Sequence, residues 1–222
     1  ENHQALTLWL QAQHQRGAVL CSVCAGAFIL AQTGLLDQRP ATTHWLLAER
    51  FAERFPDVNL DDNKILINDG DLITAGGLMA WLDLGLELVA QFAHPALMRQ
   101  LGKQLVVDTG PREQRYYRRF MPRLNHGDST ILQSQHHLQR HFRNNLSVKG
   151  LATNSHLTER TFLRRFVRAT GLKPSEYLQQ LRVSKACDAL GSCQHTVESS
   201  SLEVGYEDVS AFRKVFIKIT GL

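Results

Sequence analysis

No stretch of this sequence holds enough consecutive apolar residues to cross a bilayer, because its longest apolar runs are short and broken by polar residues. The opening residues, ENHQALTLWLQAQHQRG, start on an acid and have no basic cluster ahead of an apolar core, so they do not read as a signal peptide. Cysteine is scarce: Cys21, Cys24, Cys187 and Cys193 are the only four in 222 residues. That is too few for a disulfide framework at this length, and the class reads as cytoplasmic. Cys21-x-x-Cys24 lacks a second pair at zinc-ribbon spacing, so neither a metal nor another cofactor is expected.

What is present is an ordinary globular composition, 43% hydrophobic and 21% charged, with room for one or two domains. The charge is unevenly placed. Residues 1–105 carry seven Lys/Arg against eleven Asp/Glu, whereas residues 131–222 carry thirteen against seven. An acidic front joined to a basic back suggests that the back half meets a polyanion.

The most informative stretch is LSVKGLATNSHLTERTFLRRFVRATGL, residues 146–172. Ser147 and Thr158 are good N-caps for two short helices joined by a turn, and Gly171 ends the second. On that second helix Phe162, Phe166 and Ala169 recur at i, i+4, i+7, an apolar stripe that faces a core. Arg160, Arg164 and Arg168 recur at i, i+4, i+8 on another face. Like charges at this spacing repel by a few tenths of a kcal/mol. Three in a row suggest an anion opposite, although a solvated basic face has the same pattern. The stretch then repeats: Thr158, Phe162, Phe166 and Gly171 recur fifty residues later as Asp208, Phe212, Phe216 and Gly221. A duplicated helix-turn-helix allows two reading helices in successive major-groove turns, about 34 Å apart.

Elsewhere residues 131–144 and 174–190 read as helices, the latter with Pro174 at its first position. The front reads as strands near 18–23, 41–43, 65–67 and 72–74, with helices near 24–34, 45–55, 78–92 and 95–105. Leu82, Leu86 and Val89 form the expected inward stripe of the helix over 78–92. That alternation points to an α/β layer with a mainly parallel sheet. Residues 108–130, with Gly110-Pro111, Pro122 and Gly127-Asp128, read as a partly structured linker with solvated arginines. His136, His137 and His141 cluster and include an i, i+4 pair spaced for a shared metal, but a solvated helix face has the same spacing.

Residues 131–222 resemble the DNA-binding domain of the AraC/XylS transcription regulators, through F-x-x-x-F-x-x-x-x-G-L-x-P-x-x-Y-L-x-x-x-R and the later V-G-Y-x-D-x-S-x-F-x-x-x-F. Residues 1–107 are similar to the PfpI-type, glutamine-amidotransferase-like domain that precedes it in one branch, through SVCAGAFILAQTGLLDQRPATTHW and GDLITAGGLMAWLDLGLELV. The resemblance implies a partial flavodoxin-like parallel sheet followed by an all-α domain, with helix-turn-helix units at about 148–169 and 197–218. It implies a sequence-specific regulator that binds double-stranded DNA, not an enzyme. The front domain would sense a small-molecule effector or make a homodimer.

By the same resemblance, base contacts fall to Arg160, Thr161 and Arg164 in the first unit and to Ser210, Ala211 and Lys214 in the second. Phosphate contacts fall to Lys149, Arg165, Arg168 and Arg213. Ser200-Ser201 stands where the family has an apolar pair, which the first unit keeps as Leu151-Ala152. The front also lacks the family's opening strands, and the chain stops before its usual last helix. A truncated domain or a piece of a longer protein is the expectation.

Ser22-Val23-Cys24-Ala25-Gly26 resembles a nucleophile elbow between strand and helix, with His44 twenty residues on. Cys24 and His44 are the expected ligand pocket. The alternative is a cysteine-dependent amidase or hydrolase in which His44 activates Cys24.

Overall fold

The structure, a computed structural model, describes residues 3–110, 112–191 and 195–221. Pro111, Cys193 and Leu222 therefore lie outside the described residues. The chain divides into two compact units between Arg118 and Arg119.

The first unit is α/β. In chain order it runs α1 (Gln4–Gln15), β1 (Leu20–Val23), α2 (Gly26–Ala31), β2 (Pro40–Ala41), α3 (Ala48–Arg54), β3 (Asn59–Leu60), β4 (Leu66–Asn68), β5 (Leu72–Ala75), α4 (Trp81–Phe92) and α5 (Pro95–Leu105). The main sheet has the order β1-β5-β4. Strands β1 and β5 are parallel, with Leu20 opposite Leu72 and Val23 opposite Ala75. The expected parallel pairing holds there and in the two-residue β2–β3 pair. Strand β4 instead runs antiparallel to β5, because the short Asp69–Asp71 link cannot make a parallel crossover. Asn68 Oδ1 accepts the Gly70 N–H at 2.9 Å, and Gly70 takes φ +86°, which closes the turn.

Strand β5 is buried at every position, so both sheet faces are covered. Leu72 joins Leu20, Leu30 and Phe51 in one core, while Ile73 and Ala75 join Ile65 and Leu84 in another. The period-two alternation of a strand is what splits neighbouring residues between two cores. Helix α4 buries Leu86 of the expected Leu82–Leu86–Val89 stripe together with Leu84, and Leu88 packs inward while Leu82 and Val89 are half-buried. Leu78 lies before that helix, in the turn after Gly77.

The expected linker of residues 108–130 is largely absorbed by the two units. Gln114 is 3% exposed, and its Nε2 donates to Thr42 Oγ1, the Thr43 carbonyl and the Lys64 carbonyl. Its Oε1 accepts the Trp45 N–H at 3.1 Å. A side chain at Gly76 would collide with it, since an added Cβ would lie 2.0 Å from Gln114 Nε2. The linker arginines are paired, not merely solvated: Arg112 with Asp83, Arg115 with Glu113, Arg118 with Asp62 and Arg119 with Asp188.

The second unit is all-α: α6 (Ser129–Arg140), α7 (Val148–Asn154), α8 (Glu159–Thr170), α9 (Pro174–Leu190), α10 (Val197–Glu203) and α11 (Val209–Thr220). Helix α6 stops at Arg140, short of the expected Asn144, where His141 leaves helical geometry. Helix α9 serves two cores. Its Tyr177 and Leu181 pack with Ile131, Leu138, Leu151, Phe162 and Phe166. Its Ala186 packs with Val204 and Phe212.

Candidate nucleic-acid interface

Both helix-turn-helix units form where the caps place them. Ser147 Oγ accepts the Gly150 N–H at 3.0 Å to start α7, and Thr158 Oγ1 accepts the Thr161 N–H at 3.3 Å to start α8. In the second unit Thr196 Oγ1 accepts from Ser199 N–H at 3.1 Å, and Asp208 Oδ1 accepts from Ser210 N–H at 2.7 Å. The turns match as well. His156 and Gly205 both take positive φ, +53° and +89°. Each is followed by a residue whose N–H reaches back into the first helix, Leu157 to Ala152 and Tyr206 to Ser201. Glycine is required at 205 because an added Cβ would meet the Arg143 carbonyl oxygen at 2.2 Å. Gly171 and Gly221 end α8 and α11 in the left-handed conformation.

Helix α8 buries Phe162, Phe166 and Ala169, as the stripe implies. This turns Arg160, Arg164 and Arg168 to solvent, and Thr161 lies half-buried beside them. Among the described residues these three arginines have no ion-pair or hydrogen-bond partner for their guanidinium groups, although unsatisfied like charges at i, i+4 repel. Lys149 on α7 is exposed and likewise unpaired. In α11 Ser210 and Lys214 are exposed on the face turned away from Phe212, and Ala211 is half-buried at its side.

Two of the expected phosphate contacts are otherwise engaged. Arg165 makes a bidentate pair with Asp128, Nε to Oδ2 at 2.8 Å and Nη2 to Oδ1 at 2.6 Å. Beside that guanidinium the Asp128 carboxyl is held below the usual carboxylate range, and the Ile131 N–H adds to the effect. Arg213 pairs with Glu198 at 2.9 Å, with both groups largely exposed. Neither Asp128 nor Gln114 stood out as a site residue in the sequence. Asp128 had a signal, a turn aspartate ahead of an apolar run, whereas Gln114 had none.

The Ser200-Ser201 pair sits in the core, with both residues 0% exposed. Ser201 Oγ donates to the Glu198 carbonyl at 2.8 Å, but the buried Ser200 Oγ has no partner. Beside this core a mainly apolar pocket of about 240 Å³ opens between Leu190, Val197, Phe212, Phe216 and Ile217, with Arg213 also in its lining.

In the first unit Cys24 takes φ +53° between β1 and α2, the sharp bend of an elbow. Its N–H donates to the Ala75 carbonyl at 2.7 Å, and Thr43 Oγ1 donates to the Cys24 carbonyl at 2.9 Å. His44, next to Thr43, spends Nδ1 accepting the Leu46 N–H at 3.1 Å. Cys24 Sγ and His44 make no hydrogen bond to each other. The loop comes together around Cys24, but the nucleophile–base pair does not form. His141 Nδ1 bonds the His137 carbonyl at 3.0 Å. Among the described residues no cluster of three or more His, Cys, Asp or Glu is placed to hold a metal, and no helix is long and apolar enough to cross a membrane.

An α/β unit with an elbow cysteine, followed by a tandem helix-turn-helix unit, defines a two-part regulator-like architecture. The DJ-1/PfpI family model matches residues 1–91, and a helix-turn-helix domain model matches residues 151–222. The HTH-type transcriptional regulator CdhR of Pseudomonas aeruginosa is 31% identical over 96% of this chain and 63% of its own length. The HTH-type transcriptional regulator ArgR of the same organism is 30% identical over 96% of this chain and 66% of its own length. An isonitrile hydratase of Pseudomonas putida is 32% identical over 41% of this chain and 38% of its own. The chain thus carries a DJ-1/PfpI-type domain followed by a helix-turn-helix domain, and it is similar to these two regulators across both. It spans just under two thirds of the length of the two regulators it matches.

Proposed function

We propose that this chain regulates transcription by binding duplex DNA through α8 and α11. The observation that carries the reading is the row of unpaired, exposed arginines on α8, opposite a fully buried phenylalanine face. Arg160, Thr161 and Arg164 read base edges, with the planar guanidinium forks suited to guanine. Ser210, Ala211 and Lys214 do the same from α11. Lys149 and Arg168 neutralise phosphates. The transcriptional regulators among the relatives support the reading. The α/β unit senses a small effector beside Cys24 and His44 or joins two copies of the chain.

A site selected from random duplex DNA supplies the probe. Arg160→Ala and Arg164→Ala, in gel-shift titrations on that probe, should each relax preference at one base pair by about 1–3 kcal/mol. Unchanged affinity and unchanged preference in both variants would sink the assignment of the reading face. The hydrolase alternative predicts turnover of amide or ester probes that Cys24→Ala abolishes. His44 Nδ1 accepts the Leu46 N–H and makes no hydrogen bond to Cys24.

A further inference from the structure

Arg165 sits one residue after Arg164, at the edge of the α8 reading face, yet it turns inward to a carboxylate. That carboxylate is unusually well fixed. Asp128 caps α6 by accepting the Ile131 N–H at 3.2 Å. Its own N–H donates to His126 Nδ1 at 3.1 Å. With Nδ1 accepting, His126 Nε2 is the donor to Gln135 Oε1, at 2.7 Å. Gln135 is 0% exposed, and its Nε2 donates to the Arg123 carbonyl at 2.9 Å. A chain of bonds thus runs from the buried middle of α6, through the turn before it, to the guanidinium on α8.

We infer that Arg165 is a positioning residue, clamped by Asp128 to set the rotation of α8, and not a phosphate anchor. The inference rests on the proposed reading role of α8. Core packing alone leaves a helix some freedom to roll. Because a helix with its side chains is about 10–12 Å across, a roll of about 10° shifts the tips of Arg160 and Arg164 by about 1 Å. Bidentate base recognition does not tolerate that error. A fork-to-fork pair one residue from Arg164 restrains the roll where it matters. In the second unit the described ion pair on α11 is the exposed Arg213–Glu198 contact to α10, at a different helix position. Position 215, fifty residues after Arg165, is a valine.

The two roles predict opposite signs for one substitution. Asp128→Asn keeps a good N-cap for α6 but removes the charge that holds Arg165. If Arg165 positions α8, Asp128→Asn and Arg165→Ala each weaken binding of the full chain to its selected duplex by about five- to tenfold. The double variant then falls no further than either single one, and the slope of log K against log salt is unchanged. If Arg165 is a phosphate anchor, Asp128→Asn frees a cation and tightens binding, while Arg165→Ala lowers the slope by about 0.9. That pattern overturns the inference, as do additive losses or no loss in either variant. Arg164→Ala is run alongside. A loss of base preference there with no effect at Asp128 rejects the clamp alone, whereas no effect at either position rejects the reading face itself. Melting curves of each variant confirm that the comparison is made between folded chains.

Discussion

The two helix-turn-helix units share caps, turns and terminal glycines but differ in what fills and restrains them. The first is packed around nine buried residues, including Phe162, Phe166 and Tyr177, and its reading helix is tied to Asp128. Among the described residues the second has three buried apolar ones, Ala186, Val204 and Phe212, with Phe216 only partly covered. Serines 200 and 201 stand where Leu151 and Ala152 fill the first core. At the reading positions Arg160 and Arg164 correspond to Ser210 and Lys214. The shared turn geometry supplies the fold of both units. The differences in core and charge give the first the stiffer support and the stronger donors. Arginine offers a planar fork where lysine offers a point charge and serine one short hydroxyl.

The comparison is broken most directly at the cores. Phe166→Ala should cost about 3–5 kcal/mol in a urea titration, because the ring is wholly buried. Phe216→Ala, at a half-covered ring, should cost clearly less, and equal losses would mean that the two cores are equivalent. The next largest effect is at the reading positions. Arg164→Ala should relax preference at its base pair by about 1–3 kcal/mol. Lys214→Ala should relax preference less and act mainly on the salt slope, as read by binding-site selection with each variant. A smaller effect, of opposite sign, is expected at Ser200→Ala. Removing a buried hydroxyl without a partner should raise the melting temperature, by a gain of up to about 1 kcal/mol.

The smallest is the pH dependence of the clamp. The Asp128 carboxyl is depressed in the folded chain, so the clamp contributes stability above the unfolded carboxyl pKa of about 4 and loses it as pH falls through the lower folded value. Asp128→Asn should therefore flatten the acid limb of the melting temperature against pH. An acid limb unchanged in that variant would remove Asp128 from the account.

Much of the second unit was legible because its signals are local. Thr158 and Asp208 cap the helices they precede, Gly171 ends α8, and the 3.6-residue period of Phe162, Phe166 and Ala169 names the buried face. In the first unit the same local signals located strands and helices but not the pairing. The turn at Asn68–Gly70 is readable in the sequence, yet the alternation of strands and helices points to a mainly parallel sheet, whereas β4 pairs antiparallel to β5. The segment before Arg119 misled for a simple reason. Glycine, proline and arginine are what a linker contains, and only its contacts reveal that Gln114 is buried and Arg112 is paired.

By itself the sequence determined which residues make the two reading helices and which of their faces is buried, since caps and periodicity act over a few residues of one chain. Whether each outward cation is free was decided by the tertiary structure. Arg160, Arg164, Arg165 and Arg168 are chemically alike on one helix, and only the approach of Asp128 from the start of α6 sets Arg165 apart. The same holds for Cys24 and His44. Their spacing suggested a pair, but a helix turn's need for an acceptor at the Leu46 N–H took the histidine nitrogen. Ion pairs and hydrogen bonds of this kind join residues far apart in the chain, and no local pattern records them.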